Sequence, residues 1–323
     1  MDENLDERPL PDPPAQAGDL HALPFIGFEV IRLALDAETP VSRLEDVIRT
    51  DVALTQRLLR VANSAFYSRS HAARTVREAV VTLGVTQLRR VALATSVLDF
   101  AGRGATRGFD RMGFFTHSLV VGALAQELAE ATGYEDPPVA FVAGLLHDVG
   151  KPFFDQHYAE PFAKALALAQ RERLPLYEAE RRVFSKEVHP RLADHAAMGR
   201  WAMQTWKLPD PYPEIVGLHH EERALASNPL LRVVCAANHL ARVLGAGADG
   251  SGDEPRLEIE RVDLGLSRER LAQAVRKGMD VARPMAVAVG PQILIPAVDA
   301  FCDSLVQGPG ADAGGAEAVQ GHA

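Results

Sequence analysis

Apolar residues recur at three- and four-residue spacing through most of this chain, and that periodicity restricts it to helices. Val47, Ile48, Leu54, Leu58, Leu59 and Val61 follow the spacing, as do Leu119, Val120, Ala123, Leu124 and Leu128. Each run offers one apolar stripe to a core. No run alternates apolar with polar residues as a half-buried strand would, and no GxGxxG stands between a strand and a helix. Only 6% of residues are aromatic, so Ala, Leu and Val must supply most of the core volume, a composition that suits helices better than sheets. The expectation is an all-α fold, a multi-helix bundle of about a dozen helices. Ser42 and Thr50-Asp51 read as N-caps, Asn63 and Gly84 as helix ends, and Pro40, Pro137, Pro175 and Pro209 as punctuation.

Three segments break the pattern. Residues 1–19 are acidic and Pro-rich and residues 307–323 are Gly/Ala-rich, so both are expected to be disordered tails. Residues 245–255, GAGADGSGDEP, carry little to bury and read as a flexible loop. Between them lie a helical half at 20–105, a helical core at 106–244 and a C-terminal helical hairpin at 256–306. The stretch LGLSRERLAQAVRKGMDVARPMAVAVG in that last segment is amphipathic, and is expected to pack on the core rather than form a dimer seam. The oligomeric state stays open.

Formal charge is −9, from 34 Lys and Arg against 43 Asp and Glu. A duplex nucleic-acid partner is not expected, because phosphate binding needs a concentrated basic face. Cys235 and Cys302 are the only cysteines, too few for a disulfide framework, which points to a reducing compartment such as the cytoplasm. The first twenty residues hold no apolar leader core, and no stretch offers about 18 uninterrupted apolar residues, so no membrane span is expected.

Histidine is nearly absent before residue 105 and frequent after it. His147-Asp148 closes an apolar helix, AFVAGLLHDVGK, with Gly150 placed to end that helix. An imidazole and a carboxylate from one turn can reach one cation, although a His at a helix end often only caps carbonyls. His117 sits in FFTHSLVVGALAQELA, His195 in DHAAMGRWAMQTWKLP and His219-His220 in PEIVGLHHEE. Four helices thus carry imidazoles in apolar surroundings, where an unpartnered ring is costly. Convergence on one shared cation would satisfy all of them; the alternative is a separate carbonyl or water for each. His157 and His189 read as surface residues, although His189, before Pro190, could replace His195 in a shifted register. Lys151 either contacts a phosphate as part of a catalytic site or is a solvated residue beyond a helix end.

The order His117, His147-Asp148, His195, His219-His220 resembles the ligand series of HD-domain metal-dependent phosphohydrolases. The span from Leu23 to Glu222 resembles the HDOD family, and RLLRVANSAFY (Arg57 to Tyr67) and AVVTLGVTQLRRVALA (Ala79 to Ala94) are similar to the two hallmark segments of that family's first helical half. The resemblance implies an HDOD-like half followed by an HD-like core, and a divalent metal (iron, manganese or zinc) held by those histidines and Asp148. It also implies a bacterial signalling or regulatory role, binding a protein partner or a small nucleotide; the rival is an active metal-dependent phosphohydrolase acting on a nucleotide or phosphodiester. Two departures bear on the choice. Where HD enzymes supply a last metal-binding Asp, VVCAANHLARVLG reads Asn238, and an amide brings no negative charge to a dication. Where HD-GYP relatives that cleave cyclic di-GMP carry DGxGYP, this chain reads HHEERALASNP. Within the hallmark segments, Asn63-Ser64 is expected to close a helix end, Phe66 and Tyr67 to be buried rather than to form a docking surface, and Arg89-Arg90 to lie on a solvated edge rather than to form a phosphate site.

Overall fold

The computed structural model describes residues 25–36, 38–67, 72–102, 106–188, 190–289 and 297–307, and no strand occurs among them. The first half comprises α1 (Phe25–Leu35), α2 (Val41–Thr50), α3 (Val52–Ala62), α4 (Val76–Leu83) and α5 (Val85–Ala101). Asp51 caps α3 by accepting from Leu54 N at 2.9 Å, the bond its place before VALTQ suggests. Ser42 is no cap: α2 starts at Val41, and Pro40 at the cap position makes no side-chain bond. Asn63, just past α3, donates to Ala73 O at 2.8 Å and accepts from Ala73 N at 2.6 Å. One amide thereby closes the link to α4 and satisfies two backbone groups, which explains the residue's place in its segment. Phe66 departs from expectation at 58% exposure, while Tyr67 is half-buried against the core.

Helix α5 touches α1 on one side and α6, α7 and α8 of the second half on the other, so its burial is not confined to one stripe. Arg90 is consequently not on a solvated edge. It is 8% exposed, and its guanidinium carbon lies 5.5 Å from the centre of the Phe141 ring. Arg89 donates to Thr39 O at 3.1 Å.

The second half runs through α6 (Arg111–Thr132), α7 (Pro137–Leu146), α8 (Gly150–His157), α9 (Ala159–Glu172), α10 (Leu176–Glu187), α11 (His195–Thr205), α12 (Tyr212–Leu218) and α13 (Pro229–Val243). Helix α6 is buried at every position from Phe114 to Ala129, on all sides rather than along the single stripe its spacing suggests; α7, α13 and the later α14 pack around it. It crosses α7 at glycines, where a Cβ on Gly144 would stand 2.9 Å from the Gly122 Cα. Only glycine on both helices permits that approach, which lets the two backbones meet below the residues that matter next.

Helices α8 and α11 meet equally closely, and a Cβ on Gly150 would stand 2.0 Å from His195 O. No side-chain rotation relieves a clash with backbone. Gly150→Ala is therefore expected to cost about 2 kcal/mol or more by forcing the helices apart, seen as a lower urea midpoint. An unchanged midpoint would mean the two helices are not held at this spacing.

The amphipathic stretch near the C-terminus is one helix, α14 (Arg268–Val289), and its partner is α15 (Asp299–Gln307). Helix α14 lies along α6 and reaches α3, so it touches both halves. The core residues form one cluster across all these elements. The expected tails fall at residues outside those described, apart from Gln307, which ends α15. No described helix is long and apolar enough to cross a membrane.

Candidate metal centre

His117, His147, His195, His219 and His220 stand in helices or just past helix ends, and each brings a ring nitrogen within 4.8 Å of an Asp148 oxygen. His117 lies two turns into α6, which Asp110 caps through Gly113 N at 2.8 Å. His147 and Asp148 follow the last turn of α7, and His219 and His220 follow α12. His195 opens α11, where Asp194 accepts from Ala197 N at 2.8 Å. Asn238 projects from α13. His117, His147, Asp148, His195 and His219 are all nearly inaccessible, and His220 is half-buried.

Asp148 is the hub. Its Oδ1 lies 3.0 Å from His195 Nε2 and 3.5 Å from His219 Nε2; its Oδ2 lies 3.3 Å from His147 Nε2 and 3.9 Å from His117 Nε2. The donors do not form the single set expected of one shared cation. They form two sets that share Asp148: Asp148 with His195, His219 and His220, and Asp148 with His117 and His147, each set having its donor atoms within 4.8 Å of one another. His189 lies outside the described residues. His157 ends α8 half-buried, its ring 4.6 Å from that of Phe153, and takes no part.

The hydrogen bonds on the far side of each ring fix what faces the centre. His147 Nδ1 lies 2.7 Å from Gly144 O, and His219 Nδ1 lies 2.7 Å from Val216 O. A carbonyl only accepts, so each Nδ1 carries the proton and each neutral ring turns an Nε2 lone pair inward. Both of those Nε2 atoms are buried without a hydrogen-bond partner. Two inward lone pairs beside one carboxylate repel unless a positive charge stands between them, so the donor set fits a cation. His195 Nε2 and His220 Nε2 are 2.9 Å apart, close enough that a proton or a cation must separate them too.

Titration follows the same demand. Burial pushes His117 and His219 down to about 4 and His220 well below the usual imidazole value. Burial opposes charge on His195 as well, but the Glu180 and Asp148 carboxylates together outweigh it and raise His195 to about 9. Burial alone would raise Asp148; His147, Lys151 and His195 instead hold it well below the usual carboxylate range.

Asn238 answers differently from an aspartate. Its Oδ1 lies 3.0 Å from His117 Nε2, and an amide oxygen can only accept, so His117 is satisfied by a neutral hydrogen bond. The His117–His147 set is thereby the weaker of the two. Lys151 is not a solvated residue beyond a helix end: it is 3% exposed, and its ammonium donates to Asp148 Oδ2 at 2.5 Å.

A cavity of about 540 Å³ opens beside the centre, lined by Asp148, Lys151, His195 and His219 and farther out by Arg242 and Arg256. The Gly245–Pro255 segment, expected to be a flexible loop, closes part of it and is pinned. A Cβ on Gly247 would stand 2.2 Å from Gly113 O, Ser251 Oγ accepts from Leu176 N at 3.1 Å, and Asp249 pairs with Arg242 at 2.8 Å. Burial works against the charge on Asp249, but Lys151, Arg242 and His117 hold its carboxyl down to about 2.

A model of the HDOD domain matches residues 20–222, more than half of the chain. The chain belongs to the HDOD family. Among solved structures, this HDOD protein is similar to an HDOD domain protein of unknown function from Geobacter sulfurreducens, with a TM-score of 0.65 and 23% identity over 84% of this chain and 93% of that one. It is also similar to a protein from Shewanella amazonensis SB2B provisionally assigned as a phosphohydrolase, with a TM-score of 0.60 and 20% identity over 87% and 99% of the two chains. A protein from Marinobacter aquaeolei VT8 provisionally assigned to signal transduction gives a TM-score of 0.58 and 20% identity over 84% of this chain and 61% of that one. At such identities the likeness carries the fold. An uncharacterized protein of Treponema pallidum (strain Nichols) is 27% identical over 265 residues, 80% of this chain and 48% of that protein; the HDOD chain spans about half the length of this curated relative.

Two residues of the HDOD centre escaped the sequence argument. Glu180 in α10 is fully buried, and its Oε2 lies 2.6 Å from His195 Nδ1 and accepts from His195 N at 2.8 Å. It fixes the ring's orientation and turns Nε2 toward Asp148. The signal was present, because Leu176, Glu180 and Phe184 share one helical face at four-residue spacing and both neighbours are apolar. Asp249 is the other, hidden in a segment whose composition reads as solvent-exposed. Glu180→Gln is expected to weaken metal binding about 10- to 100-fold, the usual effect of removing a ligand's outer partner, measured by titration with manganese or zinc. An unchanged affinity would show that Glu180 does not orient His195.

Proposed function

We propose that this HDOD protein is a signalling module whose Asp148-centred histidine site holds a divalent metal and whose adjoining cavity binds a small nucleotide. The observation that carries the reading is the pair of buried, unpartnered Nε2 atoms on His147 and His219, which face a carboxylate and call for a cation. Histidine nitrogen with a single carboxylate suits zinc, iron or manganese better than magnesium or calcium, which prefer oxygen. His195, His219, His220 and Asp148 would hold the metal most firmly. Bound there, a dication supplies positive charge against phosphate oxygens.

The chain's own residues support the ligand class. The cavity volume of about 540 Å³ falls in the range of small-molecule sites. Lys151, Arg242, Arg256 and Arg261 line it beside six carboxylates. A phosphorylated ligand would therefore depend on the charge of a bound dication as well as on these cations, and the enclosed volume favours a compact ligand over a protein partner. Regulation is favoured over hydrolysis because Asn238 removes a negative charge from the His117 side and engages that ring itself.

Calorimetric titration of the manganese-loaded protein with nucleoside monophosphates and dinucleotides tests the reading. Saturable binding without turnover is expected, and Asn238→Asp is expected to tighten manganese binding about ten-fold by restoring a charged ligand. Failure of every nucleotide to bind the loaded protein would overturn the ligand class, and steady release of hydrolysed product by the wild-type chain would make it a phosphohydrolase instead.

A further inference from the structure

A second cleft, of about 360 Å³, lies away from the metal centre, where α1 and α5 of the first half meet α7 and α12 of the second; its walls include Val85, Leu93, Val139 and Phe141. Arg89, Arg90 and Asp136 are its charged lining groups, and Tyr212 also faces it. Arg90 is the unusual member. It is 8% exposed, its Nε is buried without a hydrogen-bond partner, and no carboxylate pairs with it among the described residues. Glu127 and Glu130 of α6 act on it only at longer range, and burial lowers its affinity for the proton. The face of Phe141 offsets part of the desolvation. A guanidinium is not deprotonated in this way, so the buried group stays charged and its Nε lacks an acceptor.

The chemistry of the walls defines what would satisfy it. Arg90 brings to the lining a cation that no described carboxylate pairs, which suits an oxyanion. The aliphatic and aromatic wall suits an apolar body of a few carbons. A guanidinium takes planar oxyanions in a two-point grip.

Placement adds a consequence. Helix α7 begins at this cleft and ends, ten residues on, at His147-Asp148, about 15 Å away at 1.5 Å per residue. Helix α12 begins there with Tyr212 and ends at His219-His220. Both are short, closely packed elements, and a shift at their first turns is carried to four residues of the metal centre.

We propose that this cleft is an effector site for a small oxyanion, carboxylate or phosphate, attached to a short apolar body, anchored by Arg90, and that its occupancy is felt at His147 and His219 through α7 and α12. The site stands independently of whether the Asp148 centre holds metal, because its readout uses the protein without added ion.

The test is a titration of the full chain with benzoate and, separately, phenyl phosphate, followed by NMR on methyl groups of Val85 and Val139 and on the ring protons of Tyr212, His147 and His219. Saturable shifts at the cleft residues are expected with at least one probe, and the two arms distinguish the anion. Arg90→Met, which keeps the side chain over Phe141 and removes its donors, is expected to weaken that binding by about ten-fold or more, the loss typical of a charge-assisted hydrogen bond. Val139→Trp, which fills the cleft from its rim, is expected to abolish it and covers the case in which Arg90→Met fails to fold. Shifts at His147 and His219 with the same midpoint complete the expected result. Saturation by neither probe, or equal saturation in the variants, overturns the site; cleft shifts with none at His147 and His219 overturn the coupling.

Discussion

His147→Ala combined with Asp148→Asn is expected to remove bound metal, weakening affinity more than about 100-fold, beyond what loss of an outer partner alone would cost. The reason is the sharing of Asp148 between the two donor sets: one substitution takes the negative charge from both, and the other takes an inward lone pair from the His117 side. Asparagine at 148 is chosen over alanine because Lys151, 3% exposed, donates to this side chain. An alanine would strand a buried ammonium, and lost stability would then be confused with lost metal. Elemental analysis of the purified wild type should find iron, manganese or zinc, and the double variant should be empty while its circular dichroism stays helical. Equal metal in both would place the ion elsewhere and end the argument from the Asp148 hub.

The parts of this centre that could be read from the chain were those where burial and polarity conflict. His117, His147 and His195 stand inside apolar helical runs, and the cost of burying an unpartnered ring implies a partner before any coordinates exist. The helices were legible for a similar reason, since a stripe at three- and four-residue spacing has few other places to go. Two kinds of residue were not legible. Glu180 lies among Glu178, Arg181 and Arg182 in a charged helix, and only its register with Leu176 and Phe184 distinguishes it. Asp249 sits in a glycine-rich stretch whose glycines looked like freedom; Gly247 and Gly252 are instead close contacts, with a Cβ on Gly252 reaching 2.0 Å from Ala169 O.

Arg90 failed for a third reason. In LRRV the pair of arginines looks like the polar edge of an amphipathic helix, and for a helix packed on one side that inference holds. Helix α5 is held between α1 and α7, so it has no polar side to spare. Whether a helix is covered once or twice depends on elements distant in sequence, here residues from the other half of the molecule. The two cations then diverge: Arg89 finds the Thr39 carbonyl, and Arg90 finds an aromatic face.

The same dependence on distant partners governs the junction at Asp155, and Asp155→Ala is expected to destabilise the protein by about 3–5 kcal/mol, the range for breaking one side of a buried ion pair. Asp155 stands in α8 with its side chain at 0% exposure. Arg111, at the start of α6, grips it at two points, Nε and Nη2 each at 2.7 Å, and Thr106 N donates to the same carboxylate at 2.7 Å. Thr106 lies in the link between the two halves, so a single carboxylate joins that link to the first turn of α6 and to α8. Alanine would leave a guanidinium and a buried backbone N–H without acceptors, and each is costly alone. Asp155→Asn separates the contributions: it can still accept from Thr106 but offers Arg111 no charge, and should cost less than the alanine. Urea unfolding followed by circular dichroism measures both, as a lower midpoint at an unchanged slope. A midpoint within experimental error of wild type for Asp155→Ala would mean that the apolar core alone joins the two halves.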